Sequence, residues 1–296
     1  YRTARRIGRG VILSRAKRDA VWPVFEEYRG QLASRKLKEV DDAYREIAEM
    51  IATEQGSELG YAAIVIDETQ DFGPQALKLL RAMIAHGPND LFFVGDGHQR
   101  IYSRNRAAMS RCGIDIRGRS RKLYLNYRTT DEIRRQAVAL LEGCEIDDLD
   151  DGHDESKRYK SLSHGPAPEV RKTSGLEEAS EAAIGFIQQW RSAQAENESL
   201  SFCVVSYSEK SRDALGQQLQ AAGIASVPIT AQSNHADARN VVHLATMHRA
   251  KGLEFDCVIV VAPESYLGPA EETAGQRRLL YVALTRAKRG ALLLQV

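Results

Sequence analysis

The segment Ala62-Ala63-Ile64-Val65-Ile66-Asp67-Glu68-Thr69-Gln70-Asp71 is an apolar run that ends in two adjacent carboxylates. As a buried strand it would stand Asp67 and Glu68 at the carboxyl edge of a sheet, the edge at which α/β proteins bind ligands. In phosphoryl transfer one such carboxylate can hold Mg²⁺ while its neighbour polarises the attacking water. The plainer alternative is a solvated turn between strand and helix, where Asp and Glu also serve as helix-start residues. Phe93-Val94-Gly95-Asp96-Gly97-His98-Gln99-Arg100-Ile101-Tyr102 repeats the pattern, an apolar run followed by a polar loop with Gln99. Leu125-Asn126-Tyr127-Arg128-Thr129 ends a short apolar stretch with an aromatic and an arginine. Val242 to His248 and then Ala250-Lys251-Gly252-Leu253-Glu254-Phe255-Asp256 make strand, loop and glycine turn. Arg277-Arg278-Leu279-Leu280-Tyr281-Val282-Ala283-Leu284-Thr285-Arg286-Ala287 has helical spacing, with Arg278, Tyr281 and Thr285 on one face.

Charge is unevenly spread. The whole chain of 296 residues balances 41 Lys and Arg against 40 Asp and Glu, so it is not globally basic. Between His98 and Arg135, however, eleven cations face only Asp115, Asp131 and Glu132. A local excess of that kind suits a phosphate-facing surface. It also suits a solvated face whose neutralising acids, such as those of residues 142–155, arrive through folding. Tyr102 could stack on a base or lie in a core beside Ile101. His248 could touch a nucleic acid or be a capped loop histidine.

The elements that must position these residues read as an α/β protein. Residues 22–55 have helical apolar spacing. Strands are expected at 62–66, 91–94, 123–125, 202–205, 241–245, 257–262 and 291–294. Helices are expected from Pro74 through Ile84, from Thr129 with Glu132 at capping-box spacing, over 176–191, from Glu209 to a cap at Gly223, and over 271–288. Continuous apolar strands alternating with helices indicate parallel sheets covered on both faces. The longest apolar runs are too short to span a bilayer. Cys112, Cys144, Cys203 and Cys257 are scattered, with no C-x-x-C pair, which favours a reducing cytoplasm over a disulfide framework. The seven histidines include no H-E-x-x-H.

Taken together, in their order and spacing, these segments resemble the motifs of UvrD/Rep-type superfamily 1A DNA helicases, from about residue 61 to the last residue. The resemblance implies an α/β fold of two RecA-like P-loop NTPase lobes with parallel sheets. It implies residues 1–118 as the carboxyl part of a first, incomplete lobe with a helical segment, and residues 119–296 as a complete second lobe. It implies ATP and Mg²⁺ as cofactors, single-stranded DNA as partner and 3′-to-5′ movement. Asp67 resembles the Mg²⁺ ligand and Glu68 the residue that activates water. Gln99 resembles a γ-phosphate sensor, Tyr127 the aromatic stacked on adenine, Arg128 a γ-phosphate contact and Glu254 a ribose contact. Arg286 resembles the arginine finger of the second lobe, a group that contributes about 10³–10⁵ in rate. Tyr102, Thr246 and His248 resemble contacts to the single strand, and Arg104 lies in the same DNA-facing loop.

The chain also departs from that family. It contains no G-x-x-x-x-G-K-[ST] and not even a Gly-Lys dipeptide. Backbone amides and a lysine for the β- and γ-phosphates are thus missing, and truncation ahead of Tyr1 is the expected reason. Arg104 stands where the family carries a Trp, and Gln276 where it carries an acid. The stretch between Thr230 and Val241 is too short for the family's large helical insertion. Two rival readings follow: an ATP-dead scaffold that binds DNA or protein, and a DNA-stimulated ATPase that does not unwind. An incomplete first lobe should also expose apolar strand surface, inviting self-association or a protein partner.

Overall fold

The computed structural model describes residues 14–53, 59–102, 108–146, 149, 152, 159–193, 199–230 and 241–296. The chain divides into two compact units, one of residues up to Ile64 with Gly73–Phe92, the other of Val65–Phe72 with Phe93–Val296.

In the first unit two helices, α1 (Arg15–Ser34) and α2 (Val40–Thr53), replace the single helix expected over 22–55. The break falls at Arg35-Lys36-Leu37-Lys38, where Lys36 takes a left-handed φ of 55°. Ser14 caps α1, its hydroxyl accepting from the Lys17 N–H. Neither helix has a buried residue. Helix α3 (Pro74–Ala82) packs on α2 and begins with Pro at its first turn, as expected. Arg81 then ties the loop that follows, donating to Asp90 at 2.7 Å and to the Ile84 carbonyl at 2.8 Å. Strands β1 (Ile64–Ile66) and β2 (Leu91–Phe93), whose residues are divided between the two units, form a two-stranded sheet.

The second unit is built on a six-stranded sheet. Its strands are β5 (Glu169–Lys172), β6 (Phe202–Ser206), β7 (Ser226–Pro228), β8 (Val242–Thr246), β9 (Phe255–Ala262) and β10 (Ala287–Gln295). Their order is β5-β10-β9-β6-β8-β7, and every neighbouring pair is parallel. The fold class is therefore α/β with parallel sheets, as expected. Period-two alternation divides the buried strands between two cores. Cys203, Val205, Val258, Val260, Ala291 and Leu293 meet α4 (Asp131–Leu140), α7 (Met247–Ala250) and α8 (Ala270–Leu284). Phe202, Val204, Cys257, Ile259, Leu292 and Leu294 meet α5 (Leu176–Ser192) and α6 (Glu209–Ala221) on the other face. Gly223, with φ 75°, follows α6 as expected of a left-handed cap.

Three boundaries differ from expectation. Helix α8 stops at Leu284 and β10 starts at Ala287, so residues 285–288 do not continue the helix. Edge strand β5 carries the polar sequence EVRK and gives no apolar signal; backbone pairing with β10 makes it a strand. Thr130, not Thr129, caps α4, and Glu132 does not close a capping box. Its carboxylate is taken by His164 and by the Gly165 N–H at 2.9 Å. A further small sheet pairs β3 (Leu125–Asn126, shorter than the expected 123–125) with β4 (Lys160–Ser161).

Some apolar strand surface stays exposed, as expected. In the second unit Val65 and Val94 are exposed, and in the first Phe92 is. Half of the acidic run at 142–155 and all of residues 231–240 lie outside the described residues. No helix among the described residues is long and apolar enough to cross a membrane.

Candidate nucleotide and nucleic-acid site

Within the second unit, Asp67 and Glu68 follow β1 and are exposed. Glu68 adopts a left-handed backbone, φ 51° and ψ 39°. For a residue with a Cβ that conformation costs on the order of 1 kcal/mol, and such outliers gather at functional sites. Local bonds hold it. Its N–H donates to Asp67 Oδ1 at 2.7 Å, and Gln70 Nε2 donates to its carboxylate. Buried Gln70 in turn accepts from the Asp96 N–H at 2.9 Å, tying this turn to the loop after β2.

That loop aims Gln99. Asp96 accepts from the His98 N–H at 2.9 Å and from Gln99 Nε2 at 2.9 Å. Burial pushes the Asp96 carboxyl pKa up, but the His98 and Gln99 contacts outweigh it and keep the group ionised. With its amide nitrogen held by Asp96, Gln99 turns its Oε1 to Arg286, whose Nη2 donates at 3.2 Å.

Arg286 is 2% exposed, a buried guanidinium between α8 and β10. Its Nε donates to the Val282 carbonyl at 3.0 Å and its Nη2 to Thr285 Oγ1 at 3.3 Å. Burial lowers its pKa, neighbouring Arg128 lowers it further, and Tyr281, Glu68 and Glu254 oppose both. It remains a cation at neutral pH. Arg128 follows β3, and its backbone N–H donates to Asn126 Oδ1 at 2.7 Å. Its Nε lies 2.6 Å from Glu254 Oε1, and Lys288 Nζ lies 3.0 Å from Glu254 Oε2. Asp131 binds Arg134 and Arg135.

Lys251 connects two parts of the site. Its Nζ lies 2.5 Å from both Asp71 carboxylate oxygens and 3.8 Å from Glu68 Oε2. The same ammonium is 5.8 Å from the centroid of the Tyr102 ring, and that ring lies 6.2 Å from the His248 ring. Tyr102 is 41% exposed, so it is not the core residue its apolar neighbour allowed. His248 is also exposed, on α7, which Thr246 precedes as N-cap.

Glu68, Gln99, Arg128, Glu254 and Arg286 are thus brought into one electrostatic neighbourhood. Tyr102 and His248 form a separate aromatic pair beside it. Tyr127 is 75% exposed next to Arg128, and Arg104 lies outside the described residues. Sequence reasoning assigned no role to Lys251, Asp71, Asp96 or Lys288. Lys251, Asp71 and Asp96 lie inside the quoted segments; Lys251 and Asp71 are partners 180 positions apart, whereas the carboxylate of Asp96 is held by the nearby His98 and Gln99. Of the basic run, Arg117 pairs with Asp115 and Arg100 is buried, so part of its charge is neutralised or hidden.

The donors suit an anion with a bound divalent cation. Arg128, Arg286 and Lys288 outnumber the two carboxylates that act on them, Glu254 and Glu68. Asp67 and Glu68 remain exposed. No group of three or more metal-ligating side chains occurs among the described residues. Magnesium needs none, since one or two carboxylates, phosphate oxygens and water usually hold it.

Residues 12–112 match the UvrD/REP helicase N-terminal domain, and residues 241–294 match the UvrD-like helicase C-terminal domain. ATP-dependent DNA helicase PcrA of Staphylococcus epidermidis is 41% identical over 69 residues, 20% of this chain and 10% of that protein. PcrA of Staphylococcus aureus gives the same identity over the same length. The match thus spans about a tenth of the relatives' own length. Among solved structures, the C-terminal domain of a possible DNA helicase from Lactobacillus plantarum is 24% identical, with a TM-score of 0.43, covering 58% of this chain and 88% of that one. The two domain matches, in tandem and in helicase order, identify the chain as a member of the UvrD/Rep-like helicase family.

Proposed function

We propose that this chain is the part of an ATP-dependent superfamily 1A DNA helicase or translocase that senses and hydrolyses ATP and grips single-stranded DNA, moving 3′ to 5′. Residues 1–118 and 119–296 are assigned to the carboxyl part of the first lobe and to the second lobe. The observation that carries the reading is Arg286, a buried cation donating to Gln99 within a cluster that also contains Glu68, Arg128 and Glu254.

In this reading Asp67 is the ligand for Mg²⁺ and Glu68 orients the attacking water. Magnesium, when bound with ATP, neutralises charge on the phosphates. Gln99 relays the occupancy of the γ-phosphate position to Arg286. Arg128 and Arg286 meet charge that develops in the transition state, Glu254 accepts from the ribose, and Tyr127 offers its exposed ring to adenine. Tyr102, with His248, Thr246 and Arg104, lines the DNA track. Aromatic stacking there contributes about 1–3 kcal/mol per base and tolerates any base. The exposed Val65 and Val94 support self-association or a protein partner on that surface. Scattered cysteines with no C-x-x-C spacing support a reducing, cytoplasmic setting.

One observation favours a second reading. These 296 residues contain no phosphate-binding loop, which suits a DNA- or protein-binding scaffold without turnover, or an ATPase that does not unwind. The chain by itself is expected to hydrolyse little or no ATP, because Glu68 and Arg286 cannot act on phosphates that nothing cradles. The test is ATP turnover and strand displacement by the longest gene product that contains these residues. Turnover stimulated by single strands and abolished by Arg286→Ala, with strand binding retained, supports the helicase. Binding without turnover supports the scaffold, and stimulated turnover without strand displacement supports the ATPase.

A further inference from the structure

Glu254 is ion-paired with both Arg128 and Lys288 and acts on Arg286 together with Glu68, and both its oxygens are engaged. Arg128 Nε holds Oε1 at 2.6 Å and Lys288 Nζ holds Oε2 at 3.0 Å. Lys288 reaches it through an irregularity in the sheet. Ala287 pairs with Phe255 and Gly290 with Cys257, so three steps along β10 oppose two along β9. One residue is extra at 288–289, the mark of a bulge, and bulges re-aim side chains next to functional sites. In regular pairing, Lys288 would lie opposite Asp256. The bulge releases it from that register, and its ammonium meets the residue just ahead of β9 instead.

The bulge is fixed from behind. A Cβ on Gly290 would lie 2.3 Å from Trp190 Cζ2, so the α5 indole seats directly on the Gly290 backbone. A side chain at 290 would force Trp190 or the bulged strand to move. Glycine and tryptophan together therefore set where β10 resumes regular pairing, and with it the direction of Lys288.

A carboxylate has about four acceptor positions. With one taken on each oxygen, Glu254 still has capacity for a hydroxyl donor, and its plane is fixed from two sides. Charge sharing matters as much. If Arg128 alone neutralised Glu254, little of its field would remain for an incoming anion. With Lys288 carrying part of that load, the three cations still outnumber Glu254 and Glu68, and the cluster keeps a positive excess.

We propose that Lys288 is a positioning residue of the nucleotide site: it fixes Glu254 and shares its charge, leaving Arg128 available to a polyphosphate. The proposal rests on reading this cluster as a nucleotide site. Lys288 acts through Glu254 and needs no contact of its own with phosphate. Its side chain is 42% exposed, so replacing it does not open a core.

The experiment measures binding of Mg·ATP and of inorganic tripolyphosphate, by calorimetry, to the longest gene product that contains these residues. It compares wild type, Lys288→Ala, Lys288→Arg, Glu254→Gln and the double variant Glu254→Gln/Lys288→Ala. Lys288→Ala should weaken Mg·ATP binding about fivefold, the scale of one partly exposed charged contact. Lys288→Arg should recover most of that loss. In the Glu254→Gln background, Lys288→Ala should change affinity by less than about twofold, because the residue it acts through is gone. An equal loss in both backgrounds would mean direct phosphate contact and overturn the positioning role, as would no loss in either. Wild type that binds neither ligand would instead overturn the nucleotide reading itself, and the proposal with it.

Discussion

Replacing Lys251 tests the link between the carboxylates and the aromatic pair. Its Nζ lies 2.5 Å from each Asp71 oxygen and 3.8 Å from Glu68 Oε2, and its side chain is only 10% exposed. The Asp71 side chain is 28% exposed. Exposed ion pairs couple by roughly 0.2–1 kcal/mol, whereas removing one partner of a fully buried pair costs about 3–5 kcal/mol. The Lys251–Asp71 pair lies between those limits, so a coupling of about 1–2 kcal/mol is expected. The two single changes should differ. Lys251→Met leaves Asp71 and Glu68 near each other without their shared cation and should cost about 2 kcal/mol. Asp71→Asn leaves Lys251 with Glu68 and the Gln99 carbonyl and should cost about 1 kcal/mol. Urea denaturation of wild type, both variants and the double variant gives the coupling from shifts in midpoint at constant slope. In 1 M salt the loss should persist in large part, because screening falls mainly on exposed pairs. Single effects that add to within about 0.3 kcal/mol would show that the two groups do not interact, and would refute the link.

Two further outcomes are expected. Tyr102→Ala should weaken binding of a short oligothymidylate by about 1–3 kcal/mol, while Tyr102→Trp should not, as read by fluorescence anisotropy; equal weakening by both would remove stacking from the account. Burial pushes the Asp90 carboxyl up, yet the Arg81 hydrogen bond and the Gly87 N–H outweigh it and hold its pKa at about 2. A folded value below the unfolded one, about 3.9, means stability that is complete above pH ~4 and is lost as pH falls toward 2. Urea midpoints of Asp90→Asn should therefore fall less steeply over that window than those of wild type, and identical slopes would contradict the assignment.

The parallel sheet was legible because its central strands are fully buried. Phe202–Val205 and Cys257–Ala262 are continuous apolar runs that only a two-sided core explains. The edge strand Glu169–Lys172 was not legible, because hydrogen bonds to β10 make it a strand and its side chains do not. The α8–β10 boundary was misplaced for a similar reason. Thr285 and Arg286 continue a helical pattern, yet Ala287 is already paired to Phe255. The cap on α4 fell to the second of two adjacent threonines, since Glu132 was drawn to His164 and Gly165.

At the site, residues with local signals were found: acids after an apolar strand, a glutamine in a polar loop, an arginine at a helix end. Their partners were not. Arg128 with Glu254, and Lys251 with Asp71, join residues more than a hundred positions apart. Lys288 reaches Glu254 only because of a bulge that no local pattern announces. Composition gave the +1 net charge but not where the basic run is neutralised. Asp115 and Asp131 lie inside that run and take Arg117, Arg134 and Arg135, whereas Glu254, from far outside it, takes Arg128.

In the proposed function Arg128 and Arg286 face one nucleotide. Titrating Mg·ATP into the chain while following the side-chain Nε–Hε resonances of both arginines by ¹⁵N NMR tests it directly, even if binding is weak. The account predicts that both resonances shift together along one saturation curve, and that Glu254→Gln alters both curves equally. Resonances that stay fixed through saturating Mg·ATP, or that titrate with different midpoints, would contradict it.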